Sequence, residues 1–260
     1  MKVIHPISLM VAAVALLAFS VLGVPVHASD MDDRIESSAK ESYVFKTYLK
    51  DDDIKIKAKD GVVTLTGTVS EESHKSLAEE TVAGLPEVKS VDNKLEVKGE
   101  RPAEKSDAWI LTKVKTTLLF HRSVSGIKTE IDVKDGIVTL RGEADNQAQK
   151  DLTTEYAKDI EGVKDVKNEM TVAKTSKETK ETKETRTAGD KIDDASITGL
   201  VKMTLLYHRS TSALHTKVET MNGVVTLSGK ASNAAEKDLA TKLAKDVNGV
   251  EDVKNLMTIE

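Results

Sequence analysis

Three copies of one sequence unit constrain the fold of this chain more than any other feature. A turn-and-strand motif, Asp/Asn-Gly-Val/Ile-Val-Thr-Leu-x-Gly, occurs at residues 60–67, 135–142 and 222–229. A closing motif, Val-x-x-Val-x-Asn, ends at Asn93, Asn168 and Asn255. In both motifs the copies are offset by 75 and then by 87 residues, so the units align without internal gaps. A shared offset of this kind indicates a tandem-repeat architecture.

Each unit has the pattern of an α-β-β-α-β fold. Apolar residues at every fourth position predict a first helix, and we expect its N-cap at Asp32, Asp107 or Asp194. Two short strands follow, joined by the Asp-Gly or Asn-Gly pair that is typical of a tight hairpin turn. A second helix and a third strand complete the unit, the helix being capped by Ser70, Asp145 or Ser232. We therefore predict an α+β fold of three tandem α-β-β-α-β units, each a small three-stranded sheet with two helices on one face.

The motifs place unit 1 at residues 30–99, unit 2 at 106–173 and unit 3 at 190–260. Residues 174–189 contain repeated Lys-Glu-Thr triplets and no large apolar residue, which favours a solvated tether between units 2 and 3. A lone charged helix is the alternative interpretation of this linker.

The first 28 residues have the pattern of a secretory signal peptide. Lys2 precedes a nearly continuous apolar run at residues 7–24, and Val26-His27-Ala28 provides a cleavage site after Ala28. We expect an exported, periplasmic protein. A retained membrane anchor is the alternative, because the apolar run is just long enough to span a bilayer.

Composition argues against several functional classes. The formal net charge of -5 argues against a broad basic face for nucleic acid. The absence of cysteine excludes thiol nucleophiles and cysteine-based zinc sites. The chain contains no Gly-x-Ser-x-Gly, phosphate-loop or His-Glu-x-x-His motif, so we expect no enzyme, no cofactor and no metal. A hydrolase with an unrecognised site is the enzyme-class alternative.

The repeated unit, with its Asp-Gly-x-Val-x-Leu-x-Gly strand and its closing Val-x-x-Val-x-Asn strand, resembles the BON domain, and the chain would contain three of them. The resemblance implies a family that includes osmotically induced periplasmic proteins. It further implies phospholipid binding, envelope maintenance or, in some members, assistance to exported proteins. Unit 1 departs from the pattern at Glu87, where units 2 and 3 have Gly162 and Gly249.

The repeated glycines and asparagines are interpreted as structural. Glycine at the second turn position suits a positive φ, and each asparagine is expected to bond a backbone group beside the turn. These positions are Gly61, Gly136, Gly223, Asn93, Asn168 and Asn255.

Trp109, the only tryptophan, is a candidate for lipid contact. Units 1 and 3 have Arg34 and Ser196 at its position, so the shared core does not require an aromatic residue there. Leu111 likewise replaces polar residues. Tryptophan favours the membrane–water interface, which suggests lipid contact by this pair. Packing against a neighbouring unit is the alternative.

A His-Arg pair occurs at equivalent places in two units, as His121-Arg122 and His208-Arg209. Cations suit the C-terminus of a helix, which gives a structural reason for the pair. Arg122 and Arg209 are also candidates for lipid phosphate, because arginine binds it with two donors.

Together with the resemblance, which implies phospholipid binding in envelope maintenance or osmotic stress, these patterns predict a non-catalytic periplasmic protein. We expect weak, multivalent binding to membrane surfaces, since tethered units raise effective concentration. Unit charges of -5, -2 and -1 place any contact with an anionic bilayer on unit 2 or unit 3. The alternative is a periplasmic chaperone whose partners are unfolded exported proteins.

Overall fold

The computed structural model describes residues 26–99, 102–173, 191–211 and 216–260. Residues 1–25 of the predicted signal peptide and the whole predicted linker at 174–189 lie outside these ranges. Each unit has the predicted order of elements, and the α+β fold class is confirmed.

In unit 1 the first helical region is divided by Ser42, which caps the second piece. Its elements are α1 (Val26–Glu41), α2 (Tyr43–Thr47), β1 (Asp53–Lys59), β2 (Val62–Val69), α3 (Glu72–Ala83) and β3 (Ser90–Val97). Unit 2 consists of α4 (Asp107–Phe120), β4 (Thr129–Lys134), β5 (Ile137–Ala144), α5 (Gln147–Lys158), β6 (Asp165–Asn168) and β7 (Thr171–Val172). Unit 3 consists of α6 (Asp194–Tyr207), β8 (Thr216–Met221), β9 (Val224–Ala231), α7 (Ala234–Asp246), β10 (Asp252–Asn255) and β11 (Thr258–Ile259).

Each sheet is mixed, with the second strand of the unit at its centre. The first strand pairs with it antiparallel through the hairpin, and the closing strand pairs with it parallel after the second helix crosses over. In units 2 and 3 the closing strand is interrupted, so its two short pieces flank the same edge of the central strand. Alternate residues of the central strand point into the core, as Val63 and Leu65 do in unit 1.

The predicted helix N-caps are wrong. For every helix with a predicted cap except α1, the observed N-cap is the residue next to the predicted one. Asp107 and Asp194 are first helical residues whose helices are capped by Ser106 and Asp193, and Asp32 lies inside α1. The three carboxylates instead accept two hydrogen bonds each from the backbone N–H groups of the hairpin turn, at 2.6 to 3.2 Å. The aspartates therefore fasten the first helix to the turn.

The second helices show the same displacement of the cap. Their N-caps are Glu71, Asn146 and Asn233, in place of the predicted Ser70, Asp145 and Ser232. The asparagine side chains accept hydrogen bonds from the third backbone N–H of the helix, at 2.9 Å in both units. In units 2 and 3 the neighbouring asparagine is therefore the cap, whereas the side chain of Glu71 makes no capping hydrogen bond.

The three units share one hydrophobic core. Helix α6 packs against α3 of unit 1 and α4 of unit 2, and eleven of its fourteen residues are buried. Units 1 and 2 meet where the ring of Tyr48 contacts the ring of Phe120, with centroids 5.3 Å apart. The units are thus joined in one packed body.

Candidate functional site

The repeated glycines and asparagines occupy equivalent places in all three units. Both residues of each hairpin turn have positive φ, with values of 76° to 80° at Gly61, Gly136 and Gly223. The asparagines do bond backbone groups, but at the second helix and not beside the turn. Each donates to a carbonyl of that helix at 2.8 to 3.0 Å and accepts from the N–H two residues ahead. They fasten the closing strand to the helix.

Trp109 lies at the junction of the three units. Its half-buried ring packs against the core, and the Nζ atom of Lys113 lies 4.9 Å from the ring centroid. The same Nζ atom lies 3.6 Å from the ring centroid of Tyr207 of unit 3. Leu111 is also half-buried. This placement supports the alternative of packing between units, and lipid contact by Trp109 and Leu111 stays a prediction.

Arg122 and Arg209 lie in the contact between units 2 and 3. The backbone N–H of each arginine donates to an aspartate carbonyl of the other unit at 2.9 Å, at Asp246 and Asp159 respectively. The Arg122 guanidinium also donates to the carbonyls of Lys245 and Val250, the latter at 2.8 Å. The arginines therefore have a structural role between units, and binding of lipid phosphate by them stays a prediction.

The histidines of the two His-Arg pairs face each other in this contact. His121 and His208 are 2% and 1% exposed, and their ring centroids are 5.7 Å apart. Nδ1 of His208 lies 2.9 Å from a carboxylate oxygen of Asp159, and Nδ1 of His121 lies 3.2 Å from one of Asp246. Each histidine therefore meets the carboxylate of the opposite unit. The aspartates, like the histidines, are 87 residues apart, so the contact is reciprocal.

Burial and hydrogen bonding shift the pKa values of this cluster. Burial lowers the pKa of His121 below 6.5, and nearby Asp246 opposes the shift only in part. Burial would raise the pKa of Asp246, but contacts with His121, Ser123 and Tyr156 outweigh it and lower the pKa. Burial likewise opposes the lowered pKa of Asp159, which its contacts with His208 and Ser210 produce. The aspartates are thus ionised, opposite an imidazole that favours the neutral form.

The cluster contains Ser, His and Asp but does not have the geometry of a nucleophilic triad. In a triad the serine hydroxyl bonds the histidine, whereas here Ser123 and Ser210 bond the carboxylates directly. Tyr156 Oη also donates to Asp246, at 2.7 Å. Within the described ranges, His, Asp and Glu side chains form no group of three or more that could hold a metal ion.

Sequence reasoning missed several exposed apolar side chains on unit 3. The described residues contain five exposed large apolar side chains, and four of them belong to this unit: Leu206, Met221, Leu256 and Ile259. Met221 and Leu256 are 73% and 65% exposed. Strand alternation in β8 places Met221 on the sheet face opposite the helices. Leu256 lies between β10 and β11, which keep one register with β9, and continuing the alternation of β10 places it on the same face. We call this surface the outer face of unit 3. The repeat alignment contained the signal, because all equivalent residues are charged: Lys59, Lys134, Lys94 and Glu169.

Comparison with known proteins agrees with the threefold repeat. The BON domain family model matches residues 31–99, 106–174 and 193–260. Osmotically-inducible protein Y of Escherichia coli is 34% identical over 149 residues, which cover 57% of this chain and 70% of that protein. An uncharacterized protein in the gshII 5' region of Anaplasma centrale is 29% identical over 147 residues, covering 56% of this chain and 90% of that protein.

A solved structure was also matched, the C-terminal domain of CdsD, the structural protein of the Type III secretion system of Chlamydia trachomatis. It is 16% identical with a TM-score of 0.23, and the match covers 89% of this chain and 98% of that one. Among the described residues, no helix has the length and apolar character needed to cross a membrane.

Proposed function

Because the chain belongs to the BON domain family, we propose that it is a non-catalytic periplasmic protein of the cell envelope that acts under osmotic stress. The family match accounts for three stretches that together span most of the chain. Similarity to a protein named as osmotically inducible, over 70% of that protein's length, supports the stress role. The signal peptide expected at residues 1–28 supports the compartment.

We further propose that the ligand is the surface of a phospholipid membrane, bound through the outer face of unit 3. The observation that carries this proposal is the exposure of Met221 and Leu256 at positions where the sister units have charged residues. Alternation places Lys217, Lys230 and Lys254 on the same face together with Glu219 and Asp252, and the lysines would meet lipid phosphates.

The net charges of the units favour unit 3 over unit 1 for contact with an anionic bilayer, but they do not make that contact strong. Unit 3 carries a net charge of -1 and unit 1 carries -5, so unit 3 is the less repelled by an anionic bilayer. Two lysines of the face are engaged in exposed ion pairs, Lys217 with Glu219 and Lys230 with Glu260. The apolar side chains therefore supply most of the affinity. Because the units form one body, binding would be through fixed faces and not through independently tethered modules.

Co-sedimentation with vesicles tests the proposal. The double variant Met221→Lys with Leu256→Glu installs the residues of unit 2, adds no net charge and should fold, since unit 2 tolerates both. Loss of the two apolar contacts should weaken binding to phosphatidylglycerol-containing vesicles by about tenfold or more. Trp109→Ala and the pair Arg122→Ala with Arg209→Ala are the matched comparisons, and both should retain binding.

Other outcomes would redirect the proposal. If Trp109→Ala abolishes binding and the unit 3 double variant does not, the lipid site lies on α4, as the sequence first suggested. If the protein sediments with neither anionic nor zwitterionic vesicles but suppresses aggregation of an unfolded exported protein, the chaperone function replaces lipid binding.

A further inference from the structure

A cavity lies at the junction of the three units and shares no residue with the outer face of unit 3. Its volume is about 420 Å³, which is within the range of sites for small molecules. Unit 1 supplies the start of α3 and the end of β3, unit 2 supplies one face of α4, and unit 3 supplies the end of α6. We call it the three-unit cavity, because it exists only where all three units meet.

Four of the residues that line the three-unit cavity depart from the repeat. Glu71 replaces the asparagine that caps the second helix in units 2 and 3, and its side chain makes no capping hydrogen bond. Tyr207 takes the place of a phenylalanine that both sister units have. Trp109 and Lys113 have no residue of the same kind at the equivalent positions of units 1 and 3. The fold of the unit requires none of these four side chains, yet the packing of the units brings them to one cavity.

The hydroxyl of Tyr207 is a hydrogen-bond donor that the protein does not use. Tyr207 is only 5% exposed, and its hydroxyl forms no hydrogen bond with any of the described residues. Burial, and then the charges of Glu71 and Glu72, raise the pKa of Tyr207, so the hydroxyl keeps its proton. Both carboxylates line the same cavity without bonding the hydroxyl. A buried polar group without a partner is costly, which points to a ligand that bonds it.

The amine of Lys113 is a second unused donor in the cavity. Its Nζ atom lies 3.6 Å from the ring centroid of Tyr207 and 4.9 Å from that of Trp109, and these contacts favour the charged amine. Burial lowers the pKa of Lys113 to about 8, with nearby carboxylates opposing it, so the amine is mostly charged at neutral pH. Lys113 forms no ion pair or hydrogen bond within the described ranges. Its N–H groups therefore remain available to a ligand.

The charges around the cavity favour a neutral ligand. An anion would meet the carboxylates of Glu71, Glu72 and Glu104, which all line the cavity. A cation would meet the charged amine of Lys113, which already lies against the two aromatic rings. A neutral ligand with several hydroxyl groups is repelled by neither, because each hydroxyl can accept from an amine and donate to a carboxylate. Hydrogen bonds of this kind to charged side chains are also the stronger ones.

We propose that the three-unit cavity is a binding site for a neutral sugar. Lys113 and Tyr207 donate to hydroxyl groups of the sugar, and Glu71 accepts from another. Trp109 and Val97 line the same cavity and offer apolar surface to the C–H groups of the sugar ring. A mono- or disaccharide therefore matches both the polar and the apolar parts of the lining.

Titration of the full chain with glucose, N-acetylglucosamine and maltose tests the proposal. Trp109 is the only tryptophan, so its fluorescence reports on the cavity directly. At least one of these sugars should change the emission saturably, and isothermal calorimetry should give the same dissociation constant, in about the millimolar range. If none of the three sugars gives a saturable change in either measurement, the proposal is wrong.

Glucosamine and glucuronate test the selectivity for a neutral ligand. Each keeps the pyranose ring of glucose and carries one charge, positive in the first and negative in the second. Both should bind about tenfold more weakly than the neutral sugar that binds best, because each meets like charge in the cavity. A charged sugar that binds as tightly as the neutral one would overturn the assignment.

Tyr207→Phe and Lys113→Leu separate binding from folding, because each installs the residue of a sister unit. Their unfolding midpoints in urea should stay close to that of the parent protein. Each variant should weaken sugar binding about tenfold in calorimetry, since a hydroxyl of the sugar loses its donor. Tyr43→Phe is the matched control, because Tyr43 does not line the cavity, and it should keep the parent affinity. Parent affinity in both cavity variants would contradict the proposal.

The sugar site is separate from the proposed lipid contact. The double variant Met221→Lys with Leu256→Glu should therefore keep the parent affinity for sugar, whatever its effect on vesicle binding. Loss of sugar binding in this variant would place the sugar on the outer face of unit 3 and not in the three-unit cavity.

Discussion

Unit 3 contacts unit 1 and unit 2 through interfaces of different chemistry. Towards unit 1, helix α6 approaches α3 closely through small residues: a Cβ at Gly199 would lie 2.6 Å from Oγ1 of Thr81. Towards unit 2, the contact is a polar cluster in which His121 and His208 each face an aspartate of the other unit. The first interface depends on shape, whereas the second depends on protonation.

The two interfaces differ in chemistry because different parts of the repeated unit meet in each. The contact between units 2 and 3 uses equivalent positions from both partners, as a symmetric dimer interface does, so its histidine and its aspartate each occur twice. The contact between units 1 and 3 joins a second helix to a first helix and has no such symmetry. Acid should therefore destabilise the contact between units 2 and 3. Changes of side-chain volume should destabilise the contact between units 1 and 3.

The largest expected effect comes from filling the space at Gly199. Gly199→Val would place a Cβ within 3.2 Å of three Thr81 atoms, including backbone atoms that cannot move aside. Overpacking of this kind costs about 3 kcal/mol, and we expect the free energy of unfolding to fall by that amount in urea titrations. The same variant should leave the pH dependence of stability unchanged.

Gly84→Ala is the control at the same interface. Its Cβ would lie 3.4 Å from Ala195 and Thr198, an ordinary contact distance, and its φ of -81° suits alanine. Its stability should stay within about 0.5 kcal/mol of the parent. A loss as large as that of Gly199→Val would show that the interface does not depend on close approach at residue 199.

The sequence predicts the fold of each unit but not how the three units pack together. The offsets of 75 and 87 residues predict the repeated elements, because spacing, turn chemistry and strand pattern are local. The caps were misplaced because Asp107 and its equivalents bind a turn that lies 28 residues away. Nothing local indicates that His121 meets Asp246, since that contact depends on how two finished units pack. The shared offset of the histidines and aspartates was the only available signal.

The second prediction is a loss of stability in mild acid that originates at His121. Its folded pKa lies below the unfolded value of 6.5, so the unfolded chain binds more protons in that range. The neutral form of His121 therefore contributes its full stabilisation above pH 6.5, and this stabilisation is lost as the pH falls towards the pKa of His121 in the folded protein. The lowered pKa values of Asp159 and Asp246 change the stability only below about pH 3.8, so they do not obscure the effect of His121. Urea titrations at pH 7 and pH 5 measure it.

His121→Phe identifies the group responsible. The new ring would retain the stacking on Tyr156, where the imidazole centroid now lies 4.1 Å from the tyrosine ring, and it cannot be protonated. Stability at pH 7 should fall by about 1 to 2 kcal/mol, because phenylalanine is larger than histidine and Asp246 loses one of its partners. The decline between pH 7 and pH 5 should become shallower. A decline as steep as in the parent protein would assign the acid sensitivity to another group.

The smallest expected effect concerns the ion pair at the contact between units 1 and 3, which joins Lys202 to Glu80 at 2.7 Å. Both side chains are about one-third exposed, so water and salt screen the attraction while ordering two long side chains costs entropy. Lys202→Met keeps the apolar stem of the lysine and should lower the free energy of unfolding by only about 0.5 kcal/mol, with the difference shrinking further in high salt. Urea titrations at low and high salt check this. A loss of several kcal/mol would mean that this interface also depends on charge, and the distinction between the two contacts would then be one of degree.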